Sequence, residues 1–261
     1  MASVSVLVPA ASATDTIVEA VESILHCELA RAGKVEVVVA PDDESREYSA
    51  LLSHLPSVLV LEPTSRRGPG FGRNRARTAA SGEWFTLLDA DDVVVPGYLD
   101  SLTDLAVRST AQCVFSRTRY ETVGGAFIRE LPWEPQISGS SMASFAGSIR
   151  ALFRRELWIE FPDTIAEDVW VESNLLDRSG GRAPLANTIY RARVLPNSLC
   201  SSMPQDHMNA AYRVALSKST NRVTTEVFAA KLQWGLRYRA HLAAGGQMSF
   251  HEFVAAAGPT D

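Results

Sequence analysis

Apolar and polar positions follow two periods over the first hundred residues, and the two periods alternate. Val4-Ser5-Val6-Leu7-Val8 is an apolar run of strand length, after which Asp15 to Ala30 places Ile17, Val21, Ile24 and Leu25 on one helical face. The alternation continues with a strand at Val35 to Val39, a helix at Glu44 to His54 and a strand at Val58 to Leu61. Asn74 to Ala80 predicts a helix that stops near Ser81-Gly82, Trp84 to Leu88 a fourth strand, and Pro96 to Val107 a helix with proline suited to its first turn. Short apolar runs separated by helices predict parallel strands covered on both faces. The expected fold class is α/β, with a Rossmann-like, mostly parallel central sheet flanked by helices.

The pattern changes after residue 110. Ala111 to Phe127 is strand-rich with a turn at Gly124-Gly125, and Leu131 to Ser144, with Pro132, Trp133, Pro135 and Gly139, reads as a loop over a cleft. Gly147 to Phe153 returns to the sheet, Thr164 to Leu176 predicts a helix, and Asn187 to Val194 a late strand. From Gln205 onward the chain reads as helical, with Phe228, Leu232, Leu236 and Leu242 as its apolar stripe. These patterns divide the chain into an α/β domain over 1–204 and a helical extension over 205–261. The extension is expected to pack on that domain; an interface with a second copy or a membrane surface are the alternatives.

In an open parallel sheet, ligands bind beyond the carboxyl ends of the strands, where the connections diverge. Pro9 to Ser12 follow the first strand, Asp42-Asp43 the second, and Asp89-Ala90-Asp91-Asp92 the fourth, so three separate strand ends bring polar residues to one edge. Carboxylates crowded behind a buried strand repel one another unless a cation lies among them. Oxygen ligands suit Mg²⁺ or Mn²⁺, which bind through one or two carboxylates together with substrate phosphates. A plain acidic turn with Asp92 capping the next helix is the alternative.

Composition narrows the classes. The 261 residues are 46% hydrophobic and 21% charged, as in an ordinary globular chain, and the net charge of −5 argues against a general nucleic-acid surface. Cys27, Cys113 and Cys200 are widely separated and odd in number, with neither metal-ligand spacing nor a disulfide framework, which fits a reducing cytoplasm. Strand-like sequence from Ser3 leaves no expected secretory leader, and no apolar stretch is long enough to span a bilayer. Peripheral attachment to the cytoplasmic face of a membrane is compatible with all of this.

Three further segments carry candidate chemistry. Asp42-Asp43-Glu44-Ser45 offers carboxylates that accept from a uracil N3–H or a ribose hydroxyl, or that cap the following helix. Arg66-Arg67-Gly68-Pro69-Gly70-Phe71-Gly72-Arg73-Asn74-Arg75 combines glycines, arginines and a helix start, a combination suited to phosphate; the alternative is a solvated basic loop. Its spacing is neither the dinucleotide fingerprint nor a P-loop. Glu167-Asp168 opens a predicted helix, where acids complement the helix dipole or direct a general base into the cleft.

Pro9 after strand one, Asp42-Asp43-Glu44-Ser45, Arg73-Asn74, Ala80-Ser81-Gly82-Glu83, Leu88-Asp89-Ala90-Asp91-Asp92 and Glu167-Asp168 occur in an order that resembles glycosyltransferase family 2. The resemblance covers roughly the first two hundred residues and becomes patchy between Tyr120 and Gly147. It implies an inverting enzyme of GT-A fold, a nucleotide-diphosphate sugar donor, UDP-linked by expectation, a hydroxyl acceptor on a glycan or related molecule, and Mn²⁺ or Mg²⁺. By that resemblance Pro9, Ala11, Asp42, Asp43, Arg73, Asn74, Asp89, Ala90 and Asp91 form the donor site. Asp91 and Asp89 are the metal-associated acids, and Asp168 is the catalytic base with Glu167 its neighbour.

Three positions depart from the family pattern: Glu44 stands in a glycine position, Ala10-Ala11-Ser12 replaces Val-Tyr-Asn, and Leu195 takes the histidine position of Arg193-Val194-Leu195-Pro196-Asn197-Ser198. His207 is the nearest substitute in sequence. A sugar nucleotidyltransferase would carry a glycine-rich basic loop directly after strand one, and Pro9-Ala10-Ala11-Ser12-Ala13 is not one. The non-enzymatic alternative is a degenerate transferase that binds nucleotide sugar or serves assembly.

Overall fold

A computed structural model describes residues 3–132, 134–195 and 203–257. One sheet runs through it, with spatial order β3-β2-β1-β4-β9-β6-β10-β5. Its strands are β1 (Val4–Ala10), β2 (Val35–Pro41), β3 (Val58–Val60), β4 (Trp84–Leu87), β5 (Val93–Val94), β6 (Cys113–Thr122), β7 (Phe127–Leu131), β8 (Gln136–Ser138), β9 (Ala151–Arg154) and β10 (Arg182–Val194). β3, β2, β1 and β4 are mutually parallel. Beyond β4 the sheet becomes mixed: β9 inserts antiparallel between β4 and β6, β10 runs parallel to β6, and β5, β7 and β8 join antiparallel. The parallel expectation therefore describes the first ninety residues, where each strand is followed by a crossover helix. The later strands are joined by hairpins and returns, which permit antiparallel pairing.

Both faces of β1 are buried, as its unbroken apolar run requires. Val4, Val6 and Val8 join one core cluster with Ile17, Val21 and Ile24 of α1 (Ile17–Leu25) and with Leu99 and Leu102 of α5 (Tyr98–Ser109). Leu7 faces the second cluster, which holds Ala76 of α4 (Pro69–Ala79), Phe85, Phe153 and the apolar side of α7 (Glu167–Arg178). The helix expected over Asp15 to Ala30 is two helices, α1 and α2 (Glu28–Arg31), because the Asp100 carboxylate accepts from the Glu28 and Leu29 N–H groups at 2.8 and 3.0 Å and starts a new turn there. α3 (Glu47–Leu51) is shorter than its pattern, since Asp43 draws the Ser45 N–H into a local turn and Glu44 takes φ +61°.

The expected cleft loop at Leu131 to Ser144 contains β8 and α6 (Gly139–Ser144). Ser138 and Ser141 exchange reciprocal side-chain to backbone hydrogen bonds that nucleate this helix, a capping arrangement without the usual glutamate. Trp133 lies outside the described residues.

At the C-terminal end, α8 (Gln205–Lys218), α9 (Arg222–Ala243) and α10 (Phe250–Ala257) follow. α9 buries Val223, Val227, Phe228, Lys231 and Trp234, placing Val227 and Phe228 in the second core cluster. The stripe read from sequence shares only Phe228 with this buried set; Leu242 is 41 % exposed. Gly235 explains the choice of face, because a Cβ there would sit 1.9 Å from Asn209 Oδ1 of α8, and the two helices meet at that point.

α4 lies equally close to β1. A Cβ at Gly72 would stand 2.9 Å from Pro9 Cβ. Gly72→Ala is therefore expected to lower stability by about 1–3 kcal/mol, the usual cost of overpacking, read as a lower urea midpoint at unchanged slope.

Candidate active site

Because β1, β2 and β4 are parallel and in register, their carboxyl ends lie along one edge, and the chain reverses direction in the sheet on either side of β1. Pro9 ends β1 and packs against α4; Ala11 follows it, half-buried. Asp42 and Asp43 follow β2, and Asp89 to Asp92 follow β4. Ala90 is buried, and its carbonyl accepts from Thr16 Oγ1 at 2.8 Å.

The acids on this edge divide by what holds them. Asp42 is 2 % exposed, and its carboxylate accepts from the backbone N–H groups of Arg67 and Gly68, so it caps the amino end of α4 as an internal anion. The glycine- and arginine-rich segment thus directs its backbone donors at Asp42. Asp43 accepts from the Ser12 N–H and from Tyr48 Oη at 2.8 Å, and its half-buried side chain ties the β1 and β2 loops together. Asn74 exchanges two 2.9 Å hydrogen bonds with the backbone of Phe161, latching α4 to the segment that leads into α7.

Two buried arginines organise the rest. Arg73, 2 % exposed, reaches Asp89 at 2.6 Å with one nitrogen and Glu167 with the other. Arg150 takes the second oxygen of Asp89, and its other arm faces Asp168 at 3.4 Å and Glu172 at 3.3 Å. Asp89, at the end of β4, and Asp168, in the first turn of α7, are thereby joined through one guanidinium. Burial raises the Asp89 pKa, but Arg150 and Arg73 outweigh it and hold the carboxyl down at about 2. Burial and Asp89 together push Asp91 up to about 6, and Asp92, deeper still, is raised well above the usual range by burial and by Asp91. The Asp92 carboxylate accepts from the Arg193 N–H at 2.8 Å, while Arg193 Nε donates to the Asp91 carbonyl at 2.7 Å.

Glu167 and Asp168, adjacent in sequence, part company in space. Glu167 is buried against Arg73 and driven by desolvation up to about 7, whereas the Asp168 side chain keeps 20 % of its surface exposed. Glu172, fully enclosed, is pushed by burial and then by Asp168 up to about 8. An acid whose folded pKa exceeds its unfolded one adds stability that is complete below the unfolded value of 4.5 and is lost as pH rises through the folded value. Glu172 and Glu167 should therefore make the protein less stable from about pH 5 towards pH 8, and Glu172→Gln should flatten that fall in urea titrations across the interval.

Among the described residues, no three Asp, Glu, His or Cys groups are set together to hold a metal ion. The donor set nevertheless fits a hard divalent cation of the kind that takes one protein carboxylate and completes its shell with phosphate and water oxygens. Like Asp42 and Asp43, Asp91 has no arginine side chain on its carboxylate among the described residues, and burial, then Asp89, raise its pKa. Both oxygens of Asp89 are claimed by arginine, which distinguishes it from Asp91. Leu195 is half-buried and His207 exposed on α8; Pro196 to Ser198 lie outside the described residues.

Sequence reasoning missed Arg150, Glu172 and Tyr190, whose hydroxyl accepts from the Asp89 N–H at 2.9 Å, and named Arg193 only as the start of the segment around Leu195. One signal was available: Asp168 and Glu172 stand four apart on a predicted helix and so share a face that calls for a cation. Nothing in the local sequence marks Arg150 as that cation.

Comparison with known proteins places these features in context. A family model described as Glycosyl transferase family 2 matches residues 5–186. The succinoglycan biosynthesis protein ExoO of Rhizobium meliloti is 33% identical over 180 residues, covering 66% of this chain and 50% of its own. A GalNAc(5)-diNAcBac-PP-undecaprenol beta-1,3-glucosyltransferase of Campylobacter jejuni is 26% identical over 168 residues, covering 60% and 53%. The chain thus spans about half the length of these curated relatives. S. aureus TarS in complex with UDP-GlcNAc superposes with TM-score 0.65 at 17% identity, covering 88% of this chain and 71% of that one. The mannosyltransferase PcManGT of Pyrobaculum calidifontis, in complex with GDP-Man and Mn²⁺, gives TM-score 0.65 at 20% identity, covering 98% and 79%. At such identities the structural likeness establishes the fold, which is of the GT-A type.

Proposed function

The chain belongs to glycosyl transferase family 2, and from that premise we propose that it moves a sugar from a nucleotide-diphosphate donor, UDP-linked, to a hydroxyl of a glycan or related acceptor, with inversion. The observation that carries this reading is the pairing of Asp91, an acid on the strand edge free of arginine, with Asp168, partly exposed and joined to the same edge through Arg150. TarS is described with UDP-GlcNAc and PcManGT with GDP-Man and Mn²⁺, which supports a nucleotide-sugar donor and a divalent cation for this fold.

In this reading the donor lies over the ends of β1, β2 and β4. Asp43, rather than the enclosed Asp42, faces the base or ribose, and Asp42 keeps the α4 loop in place beneath it. Pro9, Ala11 and Ala90 shape the floor, with Asn74 fixing α4 from behind. Arg193, whose buried Nη2 has no hydrogen-bond partner among the described residues, donates to the Asp91 carbonyl and is the side chain that would meet the diphosphate there. Asp91 would hold Mn²⁺ or Mg²⁺, which when bound would supply charge neutralisation for the departing nucleoside diphosphate. Asp168 takes the proton of the acceptor hydroxyl as its oxygen attacks the anomeric carbon from the face opposite the leaving group. That geometry inverts the configuration.

Among the described residues, no helix is long and apolar enough to cross a membrane. We place the reaction in the cytoplasm, where nucleotide sugars are made, with the cytoplasmic membrane face as the site of a lipid-borne acceptor.

Thermal melts with a panel of nucleotide sugars, with and without Mn²⁺, test the reading. The matching donor at about a hundred times its Kd should add about 2.7 kcal/mol to stability, and only when the cation is present. Asp91→Ala should abolish the cation-dependent stabilisation together with transfer. If Asp91→Ala leaves sugar transfer intact, the metal role falls; if no nucleotide sugar stabilises the chain, the transferase reading and the nucleotide-sugar-binding alternative fall together, leaving the assembly module.

A further inference from the structure

Arg129 on β7 is 7 % exposed, and its Nε and Nη1 have no hydrogen-bond partner among the described residues. Its remaining nitrogen, Nη2, meets Nδ1 of His251 on α10 at 3.0 Å. The guanidinium lies 4.4 Å over the Tyr120 ring, on which His251 also stacks at 4.5 Å. His251 adds no negative charge, because burial, and then Arg129 itself, hold its pKa down at about 3 and keep the ring neutral. The acids on neighbouring strands and on α7 are committed elsewhere: Glu130 to Arg119 at 2.8 Å, Glu121 to Arg191 at 2.7 Å, and Asp168 and Glu172 of α7 to Arg150. A guanidinium taken out of water without an anion is strongly unfavourable, and unmade buried hydrogen bonds add to the cost. Such a group, without an anion among the described residues, is a ready site for one.

Its position says which substrate would bring one. Arg129 Nη2 stands 3.1 Å from where a Cβ of residue 147 would be, and the adjoining Ser148 accepts from Tyr120 Oη through its carbonyl. Ser148 Oγ in turn accepts from Arg150 Nη1, the nitrogen that faces Asp168. Arg129 is thus one short segment beyond the proposed base, on the flank away from Asp42 and Asp43. A second buried basic group borders the same segment: Lys231 Nζ donates to the carbonyls of Met142 and Phe145.

We propose that Arg129 is an oxyanion subsite of the acceptor, receiving a phosphate or carboxylate that the acceptor carries, with the His251 imidazole of α10 covering it until that group arrives. This rests on the transferase reading for the word acceptor, while the anion site itself does not. α10 is suited to yield: it is held chiefly by a small cluster of Phe250, Phe253 and Val254 against Ala146 and Trp234, apart from the two main cores.

Calorimetric titration of the full chain with inorganic phosphate and, separately, glucuronate, against chloride at matched ionic strength, tests this. Saturable binding of one of the two is expected, and the one that binds assigns the class. Arg129→Met should weaken it by about ten-fold or more, the worth of a charge-assisted hydrogen bond, and should melt at or above the wild-type temperature because an unpaired buried charge is gone. His251→Ala, which uncovers the guanidinium, should tighten the same binding. The proposal is overturned if neither anion saturates, if Arg129→Met binds as the wild type does, if that variant is clearly destabilised, or if His251→Ala leaves affinity unchanged. Nucleotide-sugar binding measured on the same variants separates the two readings: its absence in the wild type sinks the transferase assignment, and its retention in Arg129→Met shows the donor edge intact.

Discussion

Asp168→Asn should reduce sugar transfer by about 10²–10⁴-fold while leaving donor affinity near the wild-type value. The substitution keeps the shape and the hydrogen bond from the Val169 N–H to Oδ1, made at 2.8 Å, while removing the ability to take a proton and the charge that faces Arg150. The neighbouring acids cannot stand in. Glu167 is committed to Arg73, and Glu172 is enclosed and raised to about 8, so it remains largely protonated at neutral pH. Steady-state rates combined with nucleotide-sugar titration separate the two quantities. Normal turnover in the variant would remove Asp168 from the chemistry, and lost donor binding would relocate it to the donor side.

Arg73→Ala should lower stability by about 3–5 kcal/mol, the usual consequence of taking one partner from a buried ionic set. For a chain of this size that is a fall in melting temperature of roughly 10 °C. Asp89 would retain only Arg150, and Glu167 would retain no cation at all. Unpaired Glu167 would then rise further from its present value of about 7, so the deficit should be larger near pH 8 than near pH 5. Arg73→Lys should recover only part of it, since one ammonium cannot serve two carboxylates in a fixed planar fork. A melting temperature within two or so degrees of wild type would show that the network stores little energy.

The positions of the first four strands, and with them the shared edge of Asp42, Asp43, Asp89 and Asp91, could be read from apolar runs because parallel strands buried on both faces leave that mark. Glu167-Asp168 was legible as a helix start, but its division into an enclosed and an accessible acid was not. That division depends on Arg73, whose position is set by α4 packing onto Pro9. The mixed half of the sheet was harder, because β9 has four residues and takes its place from tertiary pairing with β4 and β6. α6 was read as a loop because its start relies on two serines in place of the familiar Ser/Thr-x-x-Glu pattern. The glycine-rich segment was correctly placed at the head of a helix, yet its phosphate-like partner proved to be the chain's own Asp42.

Arg150 touches acids from both halves of the site, and this shapes how the enzyme can change. A substitution that alters Asp89 behind β4 also alters the field in which Asp168 sits, so the two positions cannot drift independently. Double-mutant cycles across Asp89 and Asp168 would be strongly non-additive, and lineages that exchange one of these acids would be expected to exchange its counterpart too. The single guanidinium makes selection act on the pair.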